Sequence, residues 1–272
     1  MSDSPDFAAV TQMQQNIWSE GDFAMVANLV FHPSENLAEA LYIVPDERCL
    51  DVACGSGNLA LAMARRAWGN TVGADFVPAL LERGRERAAA ERLEIEFVEA
   101  DAQDLPFEDA SFDVVASIYG AMFAPDQERT AVELLRVVKP GGRIGMANWT
   151  PDGGVGAMFL AIAKHTGGPP AGVMPPPLWG VEDRVRELFG DGVSELRFEK
   201  RKSRQGFRSV DHYLEFFRAY FGPVKTAFEK VGPEGEAALT ADLRAYLEEF
   251  NTAGDRALVI EPEYLQIVAT RA

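Results

Sequence analysis

Two glycines and an aspartate at the end of an apolar segment are the first residues that could do chemistry. Gly55 and Gly57 follow the run Leu50-Asp51-Val52-Ala53-Cys54 and precede a segment of helix-forming composition. Glycines at a strand-to-helix turn let the backbone approach a ligand closely, and the free N–H groups of the helix N-terminus face that ligand. This turn alone is compatible with NAD, FAD or S-adenosylmethionine (SAM).

Two positions near the turn favour SAM over a dinucleotide. Asp51 lies four residues before Gly55, where a dinucleotide-binding turn usually has an apolar residue because a carboxylate would repel the pyrophosphate. The third glycine of the dinucleotide fingerprint is absent, and Ala60 stands in its place. SAM has no phosphate, and the ammonium group of its amino acid part tolerates a neighbouring acid. An NAD(P)-dependent oxidoreductase therefore stays open only as a weaker alternative.

Two further carboxylates follow later apolar segments. Asp75 lies twenty residues after Gly55 at the end of a predicted strand, where a carboxylate can accept hydrogen bonds from two ribose hydroxyls. Asp101 ends the next predicted strand, where it either accepts a hydrogen bond from an adenine amino group or caps a loop. Phe76 either lies against the adenine face or packs in the core. Together these residues indicate a nucleoside-like ligand.

The carboxylates need a sheet that brings the ends of several strands together. Short apolar segments predict strands at 48–53, 71–75, 94–100, 113–117 and 143–149, with helices at 58–67, 78–92 and 126–138 between them. Pro78 suits the first residue of its helix, and the run Lys139-Pro140-Gly141-Gly142 ends the last one. This alternation predicts a doubly wound parallel sheet, in which ligands bind beyond the carboxyl ends of the strands.

The segments on either side of this region do not alternate regularly between strands and helices. Residues 6–45 are predicted to be helical, with Ser34 as a helix N-cap. Further strands are predicted at 193–201 and 263–270, and a helical stretch at 210–250 is broken at Gly222-Pro223 and Gly232-Pro233. We therefore predict an N-terminal helical cap at 1–45, a core formed by 46–205 and 260–272, and a helical insertion at 206–259 that acts as a lid.

Charge and composition argue against several classes of protein. A net charge of −16 would repel nucleic acid and anionic membranes, and the one basic cluster, at 197–208, is interpreted as a solvated strand or, alternatively, as the wall of an anionic-substrate pocket. No apolar run approaches the roughly 20 residues that span a bilayer, and the acidic N-terminus predicts no signal peptide. Cys49 and Cys54 lack a second pair, which predicts no metal site and reduced thiols in a cytoplasmic protein.

Five motifs in a fixed order carry a resemblance to a known family. They are Asp51-Val-Ala-Cys-Gly-Ser-Gly, the acid at Asp75, Asp101-Ala102 before Leu105-Pro106-Phe107, Ser111-Phe112-Asp113-Val114-Val115, and Arg136-Val137-Val138-Lys139-Pro140-Gly141-Gly142. As a set, over about residues 46–149, they resemble the class I SAM-dependent methyltransferases, and their spacing resembles the ubiquinone/menaquinone-biosynthesis-like branch that acts on small molecules. The resemblance implies a Rossmann-like α/β fold with a seven-stranded sheet whose last strand is antiparallel, and it implies SAM as the cofactor.

The resemblance also implies which residues bind the cofactor. Ala53, Cys54, Gly55 and Gly57 would line the methionine part of SAM, with Ser117 near it. Cys54 stands where the family more often has glycine, a departure that does not threaten SAM binding. The full expected set is Trp18, Asp51, Ala53, Cys54, Gly55, Gly57, Asp75, Phe76, Asp101, Ala102 and Ser117. A protein that binds SAM without transferring its methyl group is the second alternative.

The methyl acceptor is expected to be a small hydrophobic or aromatic molecule. The segments 6–44, 167–180 and 210–250 are rich in aromatic side chains, which either form an apolar pocket and lid over the SAM methyl or only attach the insertion to the sheet. The expected acceptor-binding residues are Tyr119, His165, Tyr213 and Phe217. No catalytic residue is assigned, since a base is needed only where the acceptor must lose a proton in order to react.

Overall fold

A computed structural model describes residues 5–272. Its strands are β1 Cys49–Val52, β2 Thr71–Asp75, β3 Ile95–Glu99, β4 Phe112–Ile118, β5 Val138–Trp149, β6 Val193–Lys202, β7 Gln205–Phe207, β8 Leu258–Ile260 and β9 Glu263–Arg271. Its α-helices are α1 Phe7–Ser19, α2 Phe23–Ala27, α3 Phe31–Ala40, α4 Asn58–Ala67, α5 Pro78–Glu91, α6 Gln127–Val137, α7 Gly154–Thr166, α8 Glu182–Phe189, α9 Val210–Tyr220 and α10 Gly222–Phe250. Short 3-10 turns lie at Asn28–Val30, Ala121–Phe123, Pro176–Gly180, Gly190–Gly192 and Gly254–Arg256.

Seven strands form one sheet in the order β3-β2-β1-β4-β5-β9-β6. The pairs β1–β2, β1–β4, β2–β3 and β4–β5 are parallel, whereas β9 is antiparallel to both β5 and β6. The residues of β1 and β2 are all buried, because helices cover both faces of a parallel sheet. The predicted Rossmann-like α/β fold, with seven strands and an antiparallel last strand, is confirmed.

The helices of the core begin where local signals predict them. Pro78 occupies the first turn of α5, where its missing N–H costs no hydrogen bond. The Asp126 side chain accepts a hydrogen bond from the backbone N–H of Arg129 and caps α6. Gly57 precedes α4 in a left-handed conformation, with φ of 83°, which glycine adopts without steric cost.

Two local predictions differ from the structure. Ser34 is not a helix cap, because a 3-10 turn leads directly into α3 and makes Ser34 the fourth residue of that helix. Its hydroxyl donates to the Val30 carbonyl at 3.4 Å. Likewise, β5 begins before the predicted residue 143. Its pairing with β4 jumps from Val138 to Arg143, so the predicted turn forms a bulge within the strand.

The region after β5 builds a second hydrophobic cluster. It joins α7, α9 and α10, and also contains Phe207 of β7 and Leu258 of β8. The β7–β8 pair was not predicted; its strands are only three residues long and lie at the two ends of the helical insertion. Helix α10 is kinked at Gly232, whose backbone is not helical (φ 61°, ψ −173°), which is where the sequence predicted a break. Within residues 5–272, no helix combines the length and apolar character that a membrane crossing needs.

Candidate active site

A cavity of about 880 Å³ lies beyond the carboxyl ends of β1, β2 and β4. The loop after β1 contributes Ala53, Cys54 and Gly55 to its wall, and the ends of β2 and β3 contribute Asp75 and Asp101. Helix α1 contributes Trp18 to the same wall. We call this space the cofactor cavity.

The loop after β1 is tightly folded against the loop after β4. Ala53 and Tyr119 both have left-handed backbones, with φ of 54° and 52°. A side chain at Gly120 would place its Cβ 2.2 Å from the carbonyl oxygen of Ala53, so the two loops approach as closely as only glycine allows. Strained non-glycine residues of this kind cost about 1–3 kcal/mol and concentrate at functional sites.

Asp75 connects the cofactor cavity to the glycine turn. Its carboxylate accepts hydrogen bonds from the backbone N–H groups of Gly55 and Val77, both at 2.8 Å. Burial raises the pKa of the Asp75 carboxyl to about 6, and the bonds from Val77 and Gly55 oppose that rise. The side chain therefore fixes the turn and also presents a carboxyl group to the cavity.

Three residues of the expected cofactor-binding set lie behind the cavity wall. Asp51 accepts a bond from the N–H of Ala60 at 2.8 Å and is fully buried, and burial raises its pKa well above the usual range. The Ser117 hydroxyl donates to the Val52 carbonyl at 2.7 Å and thereby supports the end of β1. Gly57 packs against the Phe97 ring. These residues shape the turn and are absent from the described cavity lining.

Hydrogen bonds tie α1 to the rim of the cavity. The Gln15 side chain donates to the carbonyl of Phe76 at 2.6 Å. The Gln103 amide donates to the Thr11 hydroxyl at 2.9 Å and to the Asp101 carboxylate at 3.0 Å. Sequence reasoning missed both glutamines, because a glutamine on a helix or in a turn looks the same in the sequence whether it is solvated or bridges two elements.

A cluster of aromatic rings forms part of the cavity wall. The Trp18 ring lies 4.8 Å from that of Phe123, 5.3 Å from that of Phe23 and 5.6 Å from that of Phe221, all in edge-to-face arrangements. These contacts join α1, α2, the turn after β4 and the junction of α9 and α10. Ring packing therefore holds the cap and the insertion together above the sheet.

A second, smaller cavity shares rings of this cluster as part of its wall. Trp18, Phe23, Val30, Tyr119 and Phe123 line both cavities. Its remaining lining residues are Val26, Trp149, Val155, Met158, Phe159, Gln205, Tyr213, Phe217 and Phe221, so no charged side chain is found in the described part of the wall. We call this space the acceptor cavity.

The structure brings three of the four expected acceptor-binding residues to this cavity. Tyr119 stacks on Trp149 with ring centroids 3.8 Å apart, and Tyr213 stacks on Phe217 at 4.1 Å. Burial raises the pKa of both tyrosine hydroxyls well above the usual range, with smaller contributions from Tyr264 and Tyr246 nearby. Both therefore remain protonated at neutral pH and neither is suited to act as a base.

His165, the fourth expected residue, lines neither cavity. Its Nε2 lies 2.6 Å from an oxygen of Asp242, which also accepts a bond from Lys164 at 2.7 Å. These two contacts connect the end of α7 to α10. Among residues 5–272, no three side chains of the His, Cys, Asp and Glu types converge as a metal site would require.

Comparisons with known proteins agree with this geometry. Residues 50–146 match the family model described as a methyltransferase domain. An uncharacterized protein of Mycobacterium tuberculosis, Rv1405c, is 37% identical over 262 residues, which are 94% of this chain and 93% of that protein. The demethylmenaquinone methyltransferase of Deinococcus radiodurans is 41% identical over 131 residues, 47% of this chain and 54% of the enzyme.

The chain belongs to the class I SAM-dependent methyltransferases. Its fold agrees with that assignment: the YcgJ protein from Bacillus subtilis superposes with a TM-score of 0.62 at 19% identity, over 88% of this chain and 98% of that one. The resemblance seen in the motifs of residues 46–149 is thus confirmed, and the protein is a SAM-dependent enzyme.

The charges of the cofactor cavity suit SAM. The described lining contains two carboxylates, Asp75 and Asp101, and neither lysine, arginine nor histidine. A pyrophosphate would find no cation there, whereas SAM presents a sulfonium and an ammonium group. The electrostatics of the site therefore argue against the weaker alternative, an NAD(P)-dependent oxidoreductase.

Proposed function

We propose that this methyltransferase transfers the methyl group of SAM to a small hydrophobic or aromatic acceptor. The acceptor cavity is the observation that supports the proposal, because it is apolar, lies beside the cofactor cavity and shares part of its wall. An apolar pocket of this kind binds ligands by burial of apolar surface, worth about 25 cal/mol per Å².

In this proposal the cofactor-binding residues divide into two groups. Asp75 accepts hydrogen bonds from the ribose hydroxyls, Asp101 from the adenine amino group, and Phe76 lies against the adenine. Ala53, Cys54 and Gly55 contact the methionine part, with Trp18 and Ala102 completing the wall. Asp51, Gly57 and Ser117 act indirectly, because their hydrogen bonds and packing hold the turn in shape.

The reaction is an in-line displacement at the methyl carbon. A lone pair of the acceptor forms the new bond to carbon while the carbon–sulfur bond breaks, and its electron pair stays on sulfur to give S-adenosylhomocysteine. An acceptor that carries a proton on the attacking atom releases that proton to water. The residues contribute alignment, which is the main source of rate in such a transfer, and the ring cluster around Trp18 excludes water from the path.

The test begins with calorimetric titrations of SAM, S-adenosylhomocysteine and NADH. We expect heat from the first two and none from NADH. Turnover is then measured as S-adenosylhomocysteine release with a panel of hydroxylated, amino and thiol aromatics and matched aliphatic acids. Binding of NADH without binding of SAM would contradict the cofactor, and turnover restricted to charged aliphatic acceptors would contradict the acceptor class.

Two further expectations remain proposals. We infer a cytoplasmic location from the two free, buried cysteines, which need no oxidising compartment. We also infer that the partner is a small molecule and that nucleic acid does not bind, from the net charge of −16.

A further inference from the structure

Two polar side chains line the otherwise apolar acceptor cavity without serving another protein group there. The Tyr119 hydroxyl is buried and has no hydrogen-bond partner among residues 5–272. The Gln205 side chain is only 6% exposed, lines the same cavity, and shows no side-chain hydrogen bond to the described residues. Since polar groups in an apolar wall are normally hydrogen-bonded, a ligand in the cavity can supply the partner of the Gln205 amide.

The position of Gln205 in strand β7 explains why the amide faces the cavity. The strand alternates buried, exposed and buried residues, so that Gln205 and Phe207 point to the same side. Phe207 packs in the apolar cluster of α9 and α10. Gln205 thus occupies a position where the pattern of the strand would place an apolar residue, and its backbone is fixed by pairing with Ile260 of β8.

The surroundings of the amide define what it can bind. The described wall of the acceptor cavity has no charged residue, and its tyrosines stay protonated. A carboxylate, phosphate or ammonium group on the acceptor would lose its hydration there without a counter-charge. Flat rings, in contrast, would meet the faces and edges of Phe217, Phe221 and Trp149.

We propose that Gln205 is a specificity-determining residue that hydrogen-bonds a neutral oxygen, a hydroxyl or a carbonyl, on an uncharged aromatic acceptor. The inference rests on the proposed function and deepens it. A primary amide both donates and accepts, so it pairs with either oxygen type. The hydrogen bond to Gln205 fixes one point of the acceptor, and the aromatic side chains contact its faces. Together they give the acceptor one orientation relative to the wall that the two cavities share.

The test uses the full chain saturated with S-adenosylhomocysteine and three probes of one shape. They are 1-naphthol, naphthalene and 1-naphthoate, titrated by ligand-observed NMR. We expect 1-naphthol to bind several-fold more tightly than naphthalene, and 1-naphthoate to bind at least tenfold more weakly than 1-naphthol. Equal or tighter binding of 1-naphthoate, or no binding of any probe, would overturn the proposal.

The variant Gln205→Met keeps the length of the side chain and removes its amide. We expect it to lower the affinity for 1-naphthol by roughly three- to tenfold, the effect of one lost neutral hydrogen bond, and to leave naphthalene within about twofold. The control Gln12→Met makes the same change on the exposed face of α1 and should alter neither probe.

Two other results have a defined meaning. An equal loss of 1-naphthol and naphthalene binding in Gln205→Met would show that the residue only packs, and an unchanged affinity for 1-naphthol would show that it makes no contact; either overturns the proposal. S-adenosylhomocysteine affinity should stay within about twofold in both variants. Failure of the unmodified chain to bind S-adenosylhomocysteine would instead contradict the proposed function itself.

Discussion

Asp75 has a structural task in addition to the proposed contact with ribose. Hydrogen bonds involving a charged group are worth about 1.5–3 kcal/mol, so Asp75→Ala should weaken SAM binding by roughly 10- to 150-fold. The same substitution at an exposed residue on the rim of the sheet would leave the free energy of unfolding of the ligand-free protein unchanged. Because Asp75 is buried and accepts bonds from Gly55 and Val77, we expect the free energy of unfolding to fall as well, by about 1–3 kcal/mol for each N–H left unpaired.

Calorimetry with SAM and chemical denaturation without ligand measure these two effects separately. Unchanged SAM affinity, within about twofold, would show that Asp75 is not the ribose ligand. The variant Asp51→Ala offers a comparison, because the Asp51 side chain is also buried but lies outside the cavity lining. It leaves the N–H of Ala60 without its partner, so it should lower stability more than it lowers SAM affinity.

The raised pKa of Asp75 also predicts a dependence on pH. Its folded-state pKa of about 6 exceeds the ordinary value of 3.8, so between these values the folded chain binds more protons than the unfolded chain. The contribution of Asp75 to the free energy of unfolding is therefore largest below about pH 4 and is lost as the pH rises through 6, by roughly 3 kcal/mol in all. SAM affinity should change in the opposite direction, because hydroxyl donors and the sulfonium favour the ionised carboxylate.

The measurement is the difference between the unmodified chain and Asp75→Asn, which removes contributions from other acids. Titrations from pH 4.5 to 8 should show SAM affinity rising through about pH 6 in the unmodified chain and a flatter profile in the variant. Parallel profiles would assign the titration to another group.

At the level of elements, α1 and the junction of α9 and α10 form one cover. Gly21 makes an isolated β-bridge with Phe221, and the N–H of Asp22 donates to the Tyr220 carbonyl at 3.0 Å. We expect S-adenosylhomocysteine to increase hydrogen-exchange protection in residues 6–44 or 210–250 as well as around Gly55. Protection confined to residues 50–120 would show that these helices do not respond to the cofactor.

The bridge itself can be tested at Gly21. Its φ is 76°, and an added Cβ would lie 2.5 Å from the Tyr220 carbonyl oxygen, so Gly21→Ala should force α1 and α9 apart. We expect weaker SAM binding and faster exchange in α1, driven by about 1–3 kcal/mol of backbone strain in addition to the clash. Gly254→Ala is the matched control, since its φ is 61° and no atom lies within 4 Å of the added Cβ. If Gly21→Ala and Gly254→Ala changed SAM binding and exchange in α1 equally, the bridge between Gly21 and Phe221 would have no role in holding the cover over the site.

On the scale of the whole molecule, the part of the chain with regular βα alternation is the part that the sequence predicted well. Apolar strands, Pro78 and the glycine turn are local signals, and they located the elements between residues 46 and 149 to within a few residues in most cases. Gln205, Gln15 of α1 and Gln103 after β3 were missed because their roles depend on what the folded chain places beside them. His165 has the chemistry of a site residue, but its position on Asp242 depends on the packing of α7 against α10.

The charge distribution of the molecule predicts that it does not bind nucleic acid. The basic residues near β6 are largely paired, with Lys200 on Glu263 at 3.1 Å, Arg201 on Glu199 at 2.8 Å and Arg204 on Glu261 at 2.9 Å. Such pairs leave little net positive charge for phosphates. Gel-shift titrations with duplex DNA and single-stranded RNA at 50 mM salt should show no complex at micromolar protein. A shift that disappears with rising salt would contradict this.

The wall that the two cavities share has a thermodynamic consequence. A ligand that orders Trp18, Phe23 and Tyr119 in one cavity has already met part of the entropic cost of ordering them for the other. Coupling between two binding sites is reciprocal. If bound cofactor raises the affinity for the acceptor by some factor, bound acceptor raises the affinity for the cofactor by the same factor. The two ligands should therefore bind cooperatively, and S-adenosylhomocysteine should dissociate more slowly while the methylated product still occupies its cavity.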